Sequence, residues 1–168
     1  MKAVSGLLEH LDGQVIKGTV EGEISALVYD SRKVTKDCMF VCIKGAAYDS
    51  HEHTEEVVNK GARAIVAERS VEVPEGVTLV LVPDTRCALA LLSAAYFDHP
   101  ARKLKVIGIT GTKGKTTTTF MVREILEHAG YKVGLMGTIE TIIGEKRIPA
   151  NNTTPESYMV QEYFAQMV

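Results

Sequence analysis

Apolar positions alternate with polar breaks along the whole chain, and the spacing predicts a run of short strands and helices. Val4, Leu7, Leu8 and Leu11 recur at helical spacing, and Gly13 ends that helix. Residues 15–20 alternate weakly, and Glu21, Gly22 and Glu23 form a turn. Residues 24–29 and 39–43 read as strands, the second nearly all apolar, and Lys44 and Gly45 stop it. Residues 46–53 are polar and aromatic without a period, so they read as a loop. A helix over 55–60 is closed by Gly61. Strands follow at 64–67 and 78–82. Asp84 then N-caps a helix over 85–98, which Pro100 stops. A strand over 104–109 is followed by a helix over 115–129, closed by Gly130. Residues 133–136 and 138–143 read as strands. A turn at Gly144 leads to a return arm at 147–149, and a last helix starts at Glu156 with Met159, Tyr163 and Met167 on one face.

This order predicts an α/β protein in two parts. Residues 1–102 make a small α/β unit of about the minimum size for its own core. The polar stretch at 99–103 is the link, and residues 103–168 begin a phosphate-loop, Rossmann-like unit. A phosphate-loop unit needs several parallel strands and usually a downstream acidic residue. Only one strand–helix–strand repeat and a hairpin follow, so the sequence is expected to be the N-terminal piece of a longer protein that binds ligands without turning over.

Composition changes this picture little. The 168 residues are 45% hydrophobic and 24% charged, with a formal net charge of −2. Nothing global points to nucleic acid or an acidic membrane surface. No apolar run approaches the roughly 18 residues of a membrane span. The first residues lack the apolar core of a signal peptide, so the cytoplasm is the default location. Cys38, Cys42 and Cys87 have no zinc-ligand spacing and read as small buried thiols. His51 and His53 sit on a polar loop without a third ligand and are not read as a metal pair.

The chemistry is concentrated at Gly111, Thr112, Lys113, Gly114, Lys115, Thr116 and Thr117. A strand, a glycine-rich turn with Gly-Lys-Thr, and a helix form the layout of a phosphate-binding loop. Backbone N–H groups and the helix N-terminus make a concave anion site. Lys115 would reach the outer phosphates of ATP and the Thr116 hydroxyl would sit on Mg²⁺. The strict pattern places a glycine five residues before Gly114, where this chain has Ile109.

The loop resembles that of the Mur ligase family, with Lys113 at a position that is often asparagine. Tyr29 to Arg32, Met39 to Gly45, Asp49 to His51, and Gly61 with Ala62 are together similar to the N-terminal domain of the tripeptide-forming branch. Asn152, Thr153, Thr154, Pro155 and Glu156 resemble a loop of the same branch. The resemblance implies an ATP-dependent amide ligase of peptidoglycan precursor synthesis. Such an enzyme joins lysine or meso-diaminopimelate to UDP-N-acetylmuramoyl-L-alanyl-D-glutamate through an acyl phosphate. It implies that Tyr29, Ser31, Ala46, Ala47, Tyr48, Thr153 and Thr154 contact that substrate, that Asn152 lies on the nucleotide side, and that Lys115 is catalytic. Two alternatives stand beside it. One is another amide ligase of the superfamily, MurF-like or folylpolyglutamate synthetase, the latter lacking a preceding UDP domain. The other is a non-catalytic phosphate-loop module. Oligomeric state is not legible.

Overall fold

The structure is a computed structural model, and it describes residues 1–9, 11–46, 48–150 and 154–168. Two compact units divide the chain, Met1–Asp98 and His99–Val168.

The first unit carries, in order, β1 (Lys2–Ala3), α1 (Val4–Leu8), β2 (Gln14–Lys17), β3 (Glu23–Ile24), β4 (Leu27–Val28), β5 (Met39–Val41), α2 (Thr54–Asn59), β6 (Ala64–Ala67), β7 (Thr78–Leu81) and α3 (Thr85–Tyr96). Its main sheet has the order β2-β7-β6-β5-β4. β4 to β7 run parallel, and β2 closes one edge antiparallel. The expected strand over 24–29 is divided: β3 pairs with β1 and β4 joins the main sheet.

The apolar runs explain the middle of this sheet. Every residue of β5 and β6 is fully buried. Parallel strands are covered on both faces, so they read as continuous apolar runs and not as alternation. Val28, Phe40, Ile65 and Leu79 point to one face and pack with Val57 of α2. Their strand neighbours Leu27, Met39, Val41, Val66 and Val80 are buried on the other. On α3, Thr85, Ala88, Leu89, Leu92 and Ser93 are buried at helical spacing. The Asp84 carboxylate accepts from the N–H groups of Arg86 and Cys87 at 2.7 and 2.9 Å, the expected N-cap. Cys38 and Cys42 are buried as expected, and burial pushes the Cys42 thiol up to about 12. Cys87 departs from the expectation and is exposed. It lies between the buried positions of α3, on the side turned to solvent.

The second unit carries α4 (Lys115–His128), β8 (Leu135–Met136), β9 (Glu140–Ile143), β10 (Lys146–Pro149) and α5 (Ser157–Met167). Its sheet, β10-β9-β8, is antiparallel throughout. The hairpin turn is Gly144 and Glu145, with Gly144 at φ +57°, the first position of a two-residue turn where positive φ is required. Tyr163 is the buried anchor of α5, which contacts β9.

One expected element is absent. Residues 105–110 form no ladder, and Val106 and Ile107 are 57% and 61% exposed. An apolar segment becomes a strand only when a neighbour takes up its N–H and C=O groups, and among the described residues none is hydrogen-bonded to it as a strand. α4 likewise has no fully buried residue. Between them lies an open apolar cleft lined by Ile107, Ile109, Val122, Leu126, Val133 and Leu135.

Candidate functional site

The loop before α4 is shaped by two glycines. Gly114 is the residue that caps α4, at φ +80°, and Gly111 lies at φ +151°. Side chains rarely adopt such φ values, so glycine allows the chain to enter the helix from this direction. No side chain caps the N-terminus of α4, and no acidic residue lies in its first turn. Its leading N–H groups and positive dipole end are therefore available to an anion.

Lys115 folds back over the loop. Its ammonium donates to the Gly111 carbonyl at 2.6 Å, which holds the cation above the turn. Thr116 and Thr138 share a hydroxyl–hydroxyl hydrogen bond of 2.9 Å. Thr138 precedes β9, so a residue outside the motif reaches the loop. Nothing local in the sequence marked Thr138, because the hairpin brings it there. Thr112, Lys113 and Thr117 are exposed around the turn. Thr154 is exposed ahead of α5. Asn152 and Thr153 lie outside the described residues.

In the first unit, the candidate substrate residues follow the C-terminal ends of β4 and β5. In a parallel sheet that edge is where ligands bind. Tyr29 and Ser31 are half-buried beyond β4. Ser31 opens a 3-10 turn, and its carbonyl accepts from the Lys60 ammonium at 3.0 Å. Ala46 and Tyr48 are exposed beyond β5, and Tyr48 stacks on His53 with centroids 4.8 Å apart. Ala47 lies outside the described residues. The segment read as an irregular loop contains a 3-10 turn over Ser50–His53.

Asp30 and Arg32 form a two-pronged pair. Arg32 Nε and Nη2 donate to the Asp30 carboxylate at 2.9 and 2.8 Å. The side-chain hydrogen bond from Arg32 is the main reason the Asp30 carboxyl lies at about 2. A carboxyl lowered on folding stabilises the fold above its ordinary value of 3.8 and loses that contribution as pH falls through about 2. Arg32 is 87% exposed, so solvent screens the pair and the gain is small. Chemical denaturation of the protein and of Asp30→Asn between pH 5 and about pH 2 checks this. The difference in stability is expected to close as the pH falls, and a gap that stays constant would sink the assignment.

A hydrogen-bond network centred on the buried His51 and Thr85 joins the second candidate loop to the end of β6. The Asp49 carboxylate accepts from the His51 N–H at 3.0 Å and from His51 Nδ1 at 2.6 Å, and Arg69 Nη2 lies 3.3 Å away. Burial pushes the Asp49 carboxyl up, but the bonds from His51 and the charge of Arg69 outweigh it, leaving it below the ordinary value. Glu68 donates its N–H to His51 Nε2 at 3.1 Å. Its carboxylate accepts from the N–H and hydroxyl of Thr85, both at 2.8 Å. The sequence reading assigned these residues no role, since His51 with Glu68 and Glu68 with Thr85 are each 17 positions apart and only the sheet joins them.

Two models of one family match the chain. The description "Mur ligase family, catalytic domain" matches residues 23–97, and "Mur ligase middle domain" matches residues 109–168. A UDP-N-acetylmuramoyl-L-alanyl-D-glutamate--2,6-diaminopimelate ligase of Clostridium perfringens is 46% identical over 165 residues, covering 98% of this chain and 34% of that protein. The ligase of the same description from Geobacillus thermodenitrificans is 46% identical over 162 residues, covering 96% of this chain and 33% of that protein. A crystal structure of MurF from Acinetobacter baumannii superposes with a TM-score of 0.63 at 25% identity, over 99% of this chain and 33% of that one. A structure of a UDP-N-acetylmuramoyl-L-alanyl-D-glutamate--2,6-diaminopimelate ligase gives a TM-score of 0.75 at 20% identity, over 99% of this chain and 34% of that one, a likeness of fold. The chain spans about a third of the length of the curated relatives it matches.

Proposed function

The chain belongs to the Mur ligase family, and from that premise we propose that it carries the UDP-substrate unit and the phosphate loop of an ATP-dependent amide ligase. Residues 1–102 serve the substrate and residues 103–168 the nucleotide. The reaction joins a diamino acid to UDP-N-acetylmuramoyl-L-alanyl-D-glutamate in the cytoplasm, as a step of peptidoglycan precursor synthesis. Identity of 46% to ligases named for 2,6-diaminopimelate supports the tripeptide-forming branch.

The observation that carries the nucleotide half is the uncapped N-terminus of α4, entered through Gly114 and overlaid by the Lys115 ammonium. ATP phosphates would accept from the backbone N–H groups of the turn and of the first turn of α4. Lys115 would exchange the Gly111 carbonyl for a phosphate oxygen and balance charge on the transferring group. The hydroxyls of Thr116 and Thr138 are hard neutral oxygens that fit Mg²⁺, with the phosphates supplying the negative ligands. Bound Mg²⁺ would neutralise phosphate charge during transfer to the substrate carboxylate. Thr112, Lys113 and Thr117 would line the turn around the phosphates, with Asn152 on the nucleotide side. In the first unit, Ser31 and Tyr29 beyond β4, with Ala46, Ala47 and Tyr48 beyond β5, would hold the UDP end. Thr153 and Thr154 would also contact the substrate.

Calorimetric titration of the chain with UDP-N-acetylmuramoyl-L-alanyl-D-glutamate and, separately, with the β,γ-imido analogue of ATP tests the reading. Saturable binding of both is expected. Binding of the nucleotide alone by a folded sample would instead favour a phosphate-loop module without a UDP-substrate site.

A further inference from the structure

We infer that His51 is a positioning residue that pre-forms the substrate loop over residues 44–53 by clamping it to the end of β6. The inference rests on the substrate reading of that loop given above.

The hydrogen bonds fix the state of the ring. The Glu68 N–H can only donate, so His51 Nε2 must be the accepting nitrogen. The proton then sits on Nδ1 and is donated to Asp49. Both nitrogens are engaged and the side chain is only 2% exposed. Such a ring has no lone pair left for a metal and no open side for proton transfer, so the geometry leaves it a mechanical role.

What the ring connects gives that role its place. Asp49 pairs with Lys44 as a bridge across the base of the loop. Inside that bridge the Gly45 N–H donates to the Tyr48 carbonyl at 2.8 Å, turning the chain back on itself. Outside it, the Ser50 hydroxyl accepts from the Ile43 N–H at 2.6 Å and donates to the Ile43 carbonyl at 3.0 Å. These bonds close the loop on itself but do not attach it to the sheet beyond β5. Two ties supply that attachment: the half-exposed Arg69 pairs with Asp49 and Glu52, and the buried His51 ring bonds to Glu68, which follows β6 directly and whose carboxylate holds the start of α3 through Thr85. Ala46 and Tyr48 are thereby held at the C-terminal edge of the sheet before ligand arrives. A loop that samples other arrangements binds more weakly by the fraction of time it spends correctly formed.

Calorimetry with UDP-N-acetylmuramoyl-L-alanyl-D-glutamate on the whole chain tests this. His51→Ala strands the Glu68 N–H and removes a donor from Asp49, and its affinity is expected to fall on the order of tenfold or more. His51→Gln places an amide oxygen within reach of the Glu68 N–H and is expected to recover part of the loss. Affinity for the β,γ-imido analogue of ATP should stay at the unsubstituted value in both variants. Unchanged substrate affinity in a folded His51→Ala protein overturns the inference. So does an equal loss for both ligands, which assigns the ring to general stability. If the unsubstituted protein binds no UDP-substrate, the reading of the loop fails first and the inference fails with it.

Discussion

In the proposed ligase, replacing Lys115 by alanine is expected to lower ATP-dependent ligation by on the order of 10³-fold. The expectation comes from where the charge sits. The Lys115 ammonium is held 2.6 Å from the Gly111 carbonyl, above a turn that also offers backbone N–H groups. Those N–H groups and the dipole of α4 remain in the variant, so phosphate binding is expected to weaken less than turnover. The charge that builds up as the phosphoryl group moves needs a full cation aimed at it, and alanine supplies none. Lys115→Arg separates charge from shape. Its planar fork keeps the charge but does not reproduce a compact ammonium seated on one carbonyl, so only part of the activity is expected to return. Steady-state kinetics of amide formation, with nucleotide affinity measured beside it, checks both. Near-normal turnover in Lys115→Ala would mean that this loop is not where phosphoryl transfer is catalysed.

The largest expected loss of stability is at Phe40. It is fully buried in the middle of β5, between β4 and β6, and packs in one cluster with Val28, Val57, Ile65 and Leu79. Truncation to alanine removes the whole phenyl ring from a site flanked across the strands by Val28 and Ile65 and packed against Val57 of α2. The cavity cannot collapse without breaking parallel ladders, so the cost is expected at about 3–5 kcal/mol. That is a large part of the stability of a small domain. Urea denaturation followed by far-UV circular dichroism should show the midpoint shifting down with little change in slope. The change is expected in the transition of the first unit. A loss below about 1 kcal/mol would contradict this packing.

The first unit was nearly legible in its sequence. Its inner strands β4, β5 and β6 are short, wholly apolar runs, α3 is capped by Asp84 and α2 is closed by Gly61. Asp84 and Gly61 act through bonds to residues two to four positions away, so they can be read locally. The glycine turn before α4 was legible for the same reason, since positive φ at Gly114 is a property of one residue. The strand over 104–109 was misread because a strand is a relation between segments. Its apolar composition is real, but no described neighbour pairs with it, and it stays open against α4.

The glycine turn before α4 and the apolar inner strands of the first sheet therefore follow from local chemistry: φ preference, capping and runs of apolar residues, while the order of those strands is a tertiary property. The sharing of hydroxyls between Thr116 and Thr138, and the clamp from Asp49 through His51 and Glu68 to Thr85, were decided only by the tertiary structure. Thr116 and Thr138 are 22 positions apart, and the His51–Glu68 and Glu68–Thr85 links span 17 positions each; only the Asp49–His51 link is local. A hydrogen bond is specified by position in space, and sequence spacing carries that position only within a helix, a hairpin or a turn.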